Sequence, residues 1–279
     1  MEQPLIIVDA ERSDRGYWKD VWRYRGLFTF LAWRDLLVRY KQTFIGVAWA
    51  VIRPLLTIVV FSFFRYLMNS STPIEDCIMI VSVATIPWQL FASALGESSN
   101  SLVANSSLLT KVYFPRVIVP LSTIIVCIVD FLLSLLILAG VMIYFGHVPS
   151  WHALYLPVFM LLALLASIGT GLFLAALNVK YRDFRYVVPF IIQLGLFISP
   201  IAISSADVYA STKVPDILKG LYSLNPMVAV IDGFRWCLLD TPFVVNQTGL
   251  ILSLGVTLLM LILGTWYFRR VESTFADIV

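Results

Sequence analysis

Long apolar runs separated by short polar segments set the pattern of this chain. Near Phe44–Leu67, Cys77–Leu95, Val117–Phe145, Leu154–Leu177, Tyr186–Ile203 and Leu250–Phe268 the sequence is apolar, with at most two Asp, Glu, Lys or Arg in any run. A run of about 20 apolar residues reads as a spanning helix, because the hydrocarbon core is roughly 30 Å thick and a helix rises about 1.5 Å per residue. Burying every run inside a soluble core would need a polar shell that the chain is too short to supply. The pattern therefore predicts an all-α polytopic membrane protein with six transmembrane helices.

Three stretches between the runs have a different period. From Tyr17 to Lys41, Trp18, Val21, Trp22, Leu27, Phe28, Leu31 and Leu36 interleave with Lys19, Arg23, Arg25, Arg34 and Arg39. Apolar spacings of three and four predict an amphipathic helix with aromatic and basic faces, suited to the membrane interface. A soluble partner-binding helix is the alternative. Ser98–Leu109 carries Leu102, Val103, Leu108 and Leu109 among small polar residues, which predicts a short helix projecting to dock on a soluble subunit. Its alternative is a solvated loop. Within the longest non-spanning section, 204–246, Pro226–Leu239 is an amphipathic piece too short and too charged to cross.

Composition and charge sharpen this picture. Of 279 residues 59% are hydrophobic and 13% charged, where a soluble domain carries roughly 25%. Placing both ends inside puts fifteen of the twenty Lys and Arg in the cytoplasmic segments 1–43, 97–116, 179–186 and 269–279. Arg65, Lys213, Lys219 and Arg235 fall outside, the asymmetry that the positive-inside rule describes. Tyr66, Trp151, Trp266 and Tyr267 near run ends suit an interfacial aromatic belt. No signal peptide is expected, since the first apolar run follows some 40 charged and aromatic residues. The net charge of +3 is too scattered for nucleic acid binding. Cys77, Cys127 and Cys237 have no metal-like spacing; a Cys77–Cys237 disulfide and isolated thiols both remain open.

Enzyme chemistry finds little footing. There is no glycine loop ending in Lys-Ser/Thr to cradle phosphates, no serine nucleophile elbow and no paired acid dyad in the runs. His147 and His152 share one short external turn without carboxylate partners, so no metal site and no catalytic residue is expected. Asn246-Gln247-Thr248 matches a glycosylation acceptor by accident of composition. Ionisable groups at membrane depth are more informative, because they are costly in hydrocarbon and usually face the protein interior. Arg53 lies about 14 Å into the first run at a helical rise. Trp49, Thr57, Phe61 and Phe64 share its face at spacings of three to four. Such a cationic and aromatic stripe suits a path for a sugar chain or an anionic headgroup, since aromatic faces stack on sugar rings and Arg forks onto phosphate oxygens. The alternative is that Arg53 snorkels to the cytoplasmic surface or pairs structurally. Tyr186, Pro189, Phe190, Gln193, Phe197 and Pro200 form a second polar and aromatic face in the fifth run. Asp130, in the third run, is expected to pair with Arg53 or with hydroxyls of a neighbouring helix.

Several motifs, in order, resemble one family. Tyr40-Lys41-Gln42-Thr43, then Ile45-Gly46-Val47-Ala48-Trp49 and Arg53-Pro54-Leu55, is similar to the opening of ABC-2-type transport permeases. Within that group the chain most resembles the permease subunits of O-antigen and related polysaccharide exporters. Lys111-Val112-Tyr113-Phe114-Pro115-Arg116 with Pro120-Leu121 resembles the segment after the coupling helix. Asn178 to Arg185, with Pro189, Gln193 and Ser199-Pro200, resembles the link between spans four and five, and Asn225-Pro226 the external re-entrant region. The likeness runs from about Trp18 onward. It implies a cytoplasmic N-terminus over 1–43 with an interface helix, a permease domain over 44–268 and a tail over 269–279. A coupling helix is implied over 98–110, where Ser98, Leu102, Asn105, Leu108, Leu109, Lys111, Arg116 and Arg182 are the candidate ATPase-facing residues. A re-entrant external gate is implied over 204–246. The first and fifth spans would line the channel. The resemblance further implies a homodimer in the bacterial inner membrane, with both termini cytoplasmic, paired with two copies of a nucleotide-binding ATPase. ATP and magnesium would sit in that partner and no cofactor in this chain. The implied cargo is an undecaprenyl-pyrophosphate-linked glycan, with capsule, teichoic acid, drug or simple lipid as alternatives and a membrane-embedded transferase as a different class.

Overall fold

A computed structural model describes residues 16–41, 46–68, 72–239, 241 and 247–275. These residues form helices and connecting turns, with no strand among them. In chain order the helices are α1 (Tyr17–Arg23), α2 (Arg25–Lys41), α3 (Gly46–Met68), α4 (Ile74–Ala104), α5 (Ser106–Lys111), α6 (Ile118–Tyr144), α7 (Leu156–Lys180), α8 (Phe184–Ile198), α9 (Ser205–Ala210), α10 (Asp216–Ser223), α11 (Pro226–Leu239) and α12 (Gln247–Val271). Short 3-10 turns at Trp151–Tyr155 and Glu272–Thr274 precede α7 and follow α12.

Five segments are long and apolar enough to cross a membrane: Val51–Met68, Ile74–Ala104, Ile118–Tyr144, Trp151–Lys180 and Thr248–Thr274. The expected fifth run contributes α8, with only 15 residues, or about 22 Å at a helical rise. Its stop has a local cause. The residue before a proline is pushed out of helical geometry, and Ser199, before Pro200, is extended with φ −83° and ψ 152°.

α4 is the most buried of the long helices. It packs against α3, α6, α7, α8 and α11, and Val81, Ala84, Trp88, Ala94 and their neighbours form the centre of the main core. A second core seals the end where α2, the 109–119 segment, α7 and the end of α12 meet around Leu31, Leu102, Ile118, Phe268 and Phe275. The remaining apolar surface points outward: Leu136, Ile143, Leu154, Ile251 and Ile262 are all more than half exposed. So large an apolar exterior fits a lipid-facing surface.

α7 and α12 touch backbone to backbone. A Cβ built on Gly264 would overlap the Gly169 carbonyl, and one on Gly169 would strike the backbone of Leu261. Small residues at such crossings let helices approach closely.

Two expectations change here. Pro226–Leu239 is not an amphipathic surface piece. As α11 it is buried nearly all round, Asp232 and Arg235 included, because α4, α7 and α12 enclose it. At 14 residues, about 21 Å, it is too short to cross. The proposed helix over 98–110 is also not a separate projection. α4 continues unbroken to Ala104, and Ser98, Ser99, Ser101 and Leu102 are buried. Ser98 fits there because Gly171 of α7 carries no side chain; a Cβ at Gly171 would overlap the Ser98 hydroxyl.

A charged cleft between α3, α4 and α8

A cleft of about 450 Å³ opens between α3, α4 and α8, with Arg39 of α2 at its edge. It joins three of the expected channel-lining residues, Arg53, Thr57 and Gln193. The Thr57 hydroxyl donates to the Arg53 carbonyl at 3.0 Å, which holds that face of α3 in register. Arg53 is exposed, and among the described residues no ion pair involves it. Phe61, Phe64, Tyr186, Phe190 and Phe197 do not line the cleft. Phe61 meets Phe197 with ring centroids 6.2 Å apart, while Phe64, Tyr186 and Phe190 point outward and are more than half exposed. Trp49 lies on α3, but its side chain falls outside the described residues.

The rest of the cleft was not anticipated. Gln89, Ser93, Glu97 and Asn100 of α4 line it together with Trp88. Their spacings of three and four form one polar stripe along a single face of α4, a signal present in the sequence. Arg39 closes the cleft electrostatically. Its guanidinium lies 2.8 Å from Asp130 Oδ2 and 3.4 Å from Glu97 Oε1. Tyr40 donates its hydroxyl to the other oxygen of Asp130. Burial, then that contact with Asp130, pushes the Tyr40 hydroxyl above the ordinary tyrosine range, so it stays protonated and donates. Asp130 thus has a neighbouring hydroxyl, as expected, but its cation is Arg39 rather than Arg53. The Asp130 carboxylate is a fixed point joining α2 to α6.

A second polar set lies five positions before Arg39 on α2. Arg34 donates to Asn105 Oδ1 at 2.7 Å, and Asn105 donates to the Ser101 carbonyl at 2.9 Å. Asn105 is the joint between α4 and α5. Beyond it Leu109 is buried and Leu108 half-buried against the second core. Ser107, Thr110, Lys111, Val112 and Tyr113 are exposed, as is Arg182 between α7 and α8. Val112 and Tyr113 are the large apolar members of this surface, and only the packing of Phe114 and Leu109 beside them leaves them outside.

Arg116 is committed elsewhere. Its backbone N–H donates to Glu272 Oε1 at 2.6 Å, its guanidinium donates to the Glu272 carbonyl, and it lies 5.9 Å from the Phe275 ring. Arg269 sits 4.4 Å from the Tyr17 ring. The end of α12 is therefore tied to α1 and to the segment before α6, a role for Glu272 that sequence spacing did not suggest. The outer face of α1 and α2 exposes Trp18, Trp22, Phe30 and Trp33, while Leu31 and Ala32 are buried.

The remaining candidate chemistry is structural. Cys77, Cys127 and Cys237 are buried free thiols. The His152 ring packs at a tilt against Trp151 at 4.3 Å and Trp236 at 4.4 Å. Among the described residues no group of three His, Cys, Asp or Glu is placed to hold a metal.

The chain matches known proteins along most of its length. The family model for the ABC-2 type transporter matches residues 26–239. The O-antigen export system permease protein RfbA of Myxococcus xanthus is 28% identical over 218 residues, covering 78% of this chain and 82% of that protein. The protein of the same name from Klebsiella pneumoniae is 26% identical over 248 residues, covering 88% and 92%.

Proposed function

We infer that this chain, which belongs to the ABC-2 type transporter family, is the membrane subunit of an exporter that moves an O-antigen-type polysaccharide. The observation that carries this is likeness to O-antigen export permeases along most of both chains, joined to a cleft that mixes guanidinium, amide and indole groups. The chain carries no phosphate-cradling loop of its own, so the energy comes from a separate ATPase subunit.

Two copies of the chain pair in the bacterial inner membrane, with both termini in the cytoplasm, beside two ATPase subunits that hold ATP and magnesium. The exposed apolar faces of α3 and α8, with Val59, Phe63, Phe190 and Phe197, support their placement at the channel. α8 with the 199–203 turn completes a sixth span, and α9 to α11 form the external gate. The Trp-rich face of α1 and α2 rests in the interface, where indole rings favour the headgroup region. The cargo is an undecaprenyl-pyrophosphate-linked glycan. Its diphosphate and first sugars meet the cleft, where Arg53 offers a fork to phosphate and Trp88 a face to sugar.

A strain lacking the chain is expected to lose surface polysaccharide and to accumulate the lipid-linked glycan in the cytoplasmic leaflet. Arg53→Glu at normal protein level should cut export to roughly a tenth, the order expected when a phosphate-binding charge is reversed. Normal surface glycan in the deletion strain would sink the reading.

ATPase docking is assigned to the exposed surface from Ser107 to Tyr113. Lys111→Glu should leave the melting midpoint within the range of a neutral surface change, about 0.5 kcal/mol, while lowering ATP-driven export roughly fivefold through a weakened charged contact. Arg116→Glu should instead lower the melting midpoint, because it faces Glu272. Equal thermal effects of the two changes would count against this division.

A further inference from the structure

We propose that Arg39 senses cargo: it exchanges between the carboxylates of Glu97 and Asp130 and the diphosphate of the cargo, and α2 carries that exchange to the coupling joint. The inference rests on the reading of the cargo as a lipid-linked diphosphate that enters the cleft.

The charges at the cleft are balanced within the chain. Arg39, Arg53 and Glu97 line the cleft and Asp130 pairs with Arg39, so the four groups sum to zero. A diphosphate meets two guanidinium forks only if Arg39 turns from its own carboxylates. The geometry permits this on one side. Glu97 is half exposed and lies at 3.4 Å, a loose contact that water screens. A phosphate oxygen pair offers a tighter bidentate match and more charge. Asp130 is more buried than Glu97, and the Tyr40 hydroxyl remains as its partner when Arg39 turns away. No carboxylate is left both buried and without a donor.

The same helix reaches the coupling end. Arg34 stands five positions before Arg39 on α2, about 7.5 Å along the axis, and grips Asn105 where α4 gives way to α5. One guanidinium of α2 thus sits at the cleft and another at the joint that leads to the proposed ATPase-docking surface. A shift of α2 that follows Arg39 changes the pull on Asn105. That supplies the difference between two states that a ligand-driven change requires. If Arg39 were only a staple between α2, α4 and α6, removal of either partner would weaken binding and stability together.

The two ideas differ in sign, which makes the test direct. The complex of this chain with its ATPase, in lipid nanodiscs, is titrated with polyprenyl diphosphate, with polyprenyl monophosphate as control, and the stimulated ATP hydrolysis is read. Glu97→Gln frees Arg39 and removes a repelling charge, so half-saturation is expected to fall roughly fivefold, the size of one screened charge at a few ångströms. Arg39→Gln is expected to raise it roughly tenfold, and Arg39→Lys, which keeps the charge and loses the fork, to fall between. Arg34→Gln should lower the maximal stimulation roughly fivefold while its half-saturation stays at the parent's value. Weaker binding in both Glu97→Gln and Arg39→Gln overturns the exchange. A parent complex that binds no polyprenyl diphosphate overturns the cargo reading itself, and the exchange with it.

Discussion

Replacing Gly264 with alanine is expected to destabilise the protein by about 3 kcal/mol, the upper range for forced overpacking. The new Cβ would overlap the Gly169 carbonyl oxygen of α7. Backbone stands on both sides of this contact, so no rotamer change relieves it and the two helices must separate. Gly169→Ala should behave alike, because its Cβ would strike the backbone of Leu261 in α12. Gly255 lies on the same helix with nothing within 4 Å of its Cβ position. Gly255→Ala is therefore neutral or slightly stabilising, as alanine is the better helix former by up to about 1 kcal/mol. Melting midpoints of the three variants in one detergent check this. Equal midpoints for Gly264→Ala and Gly255→Ala would show that the α7–α12 contact is looser than described.

The second large effect is expected at Asp232. Asp232 and Arg235 form a pair on α11 at 3.6 Å, with side chains 3% and 6% exposed. Ser205 donates to Asp232, and Arg235 donates to the Pro200 carbonyl at 2.6 Å and more weakly to that of Ile201. Arg65 donates to the next carbonyl, Ala202, at 2.9 Å. The turn that ends α8 is therefore held by two guanidiniums, one of them neutralised by Asp232. Burial pushes Arg235 down to about 10 and pushes Asp232 up from the ordinary carboxylate value. Arg235 still carries its charge at neutral pH. Asp232→Asn leaves that charge uncompensated in a dry site, which costs roughly 3–5 kcal/mol. Arg235→Leu should cost a similar amount by stranding Asp232 and two turn carbonyls. The double variant should recover only part of the loss, because the carbonyls stay unpaired. Thermal melting with protease cleavage near 200–205 reads both consequences. An Asp232→Asn protein that melts with the parent would mean that Arg235 finds another counter-charge.

These two sites lie where sequence reasoning was weakest. Asp232 and Arg235 marked 226–239 as too charged to cross, which is right for its length. The same charges are the residues that allow α11 to be buried, since each neutralises the other. The cleft was legible in part. The stripe of Arg53 and Thr57 on α3 and Gln193 on α8 follow from helical period and converge on one cleft. Gln89, Ser93, Glu97 and Asn100 have the same period on α4, but the stripe begins inside the apolar run and ends in the polar stretch after it. The apolar run ends at Leu95, which splits the stripe between a span and the polar segment after it.

By itself the sequence determined that the long apolar runs are helical, that most of them are long and apolar enough for a bilayer, and where basic residues gather. Each is a local property, set by run length against hydrocarbon thickness, by a period of 3.6 residues, and by turn-forming residues such as Ser199-Pro200. Tertiary structure alone decided the partners. Tyr40 meets Asp130 across 90 residues and Arg116 meets Glu272 across 156. Gly264 meets Gly169, and Ser98 meets Gly171. A charge written in a sequence has a sign but no neighbour. Packing chooses which buried charges cancel, and it left Arg53 facing the cleft while giving Arg39 to Asp130.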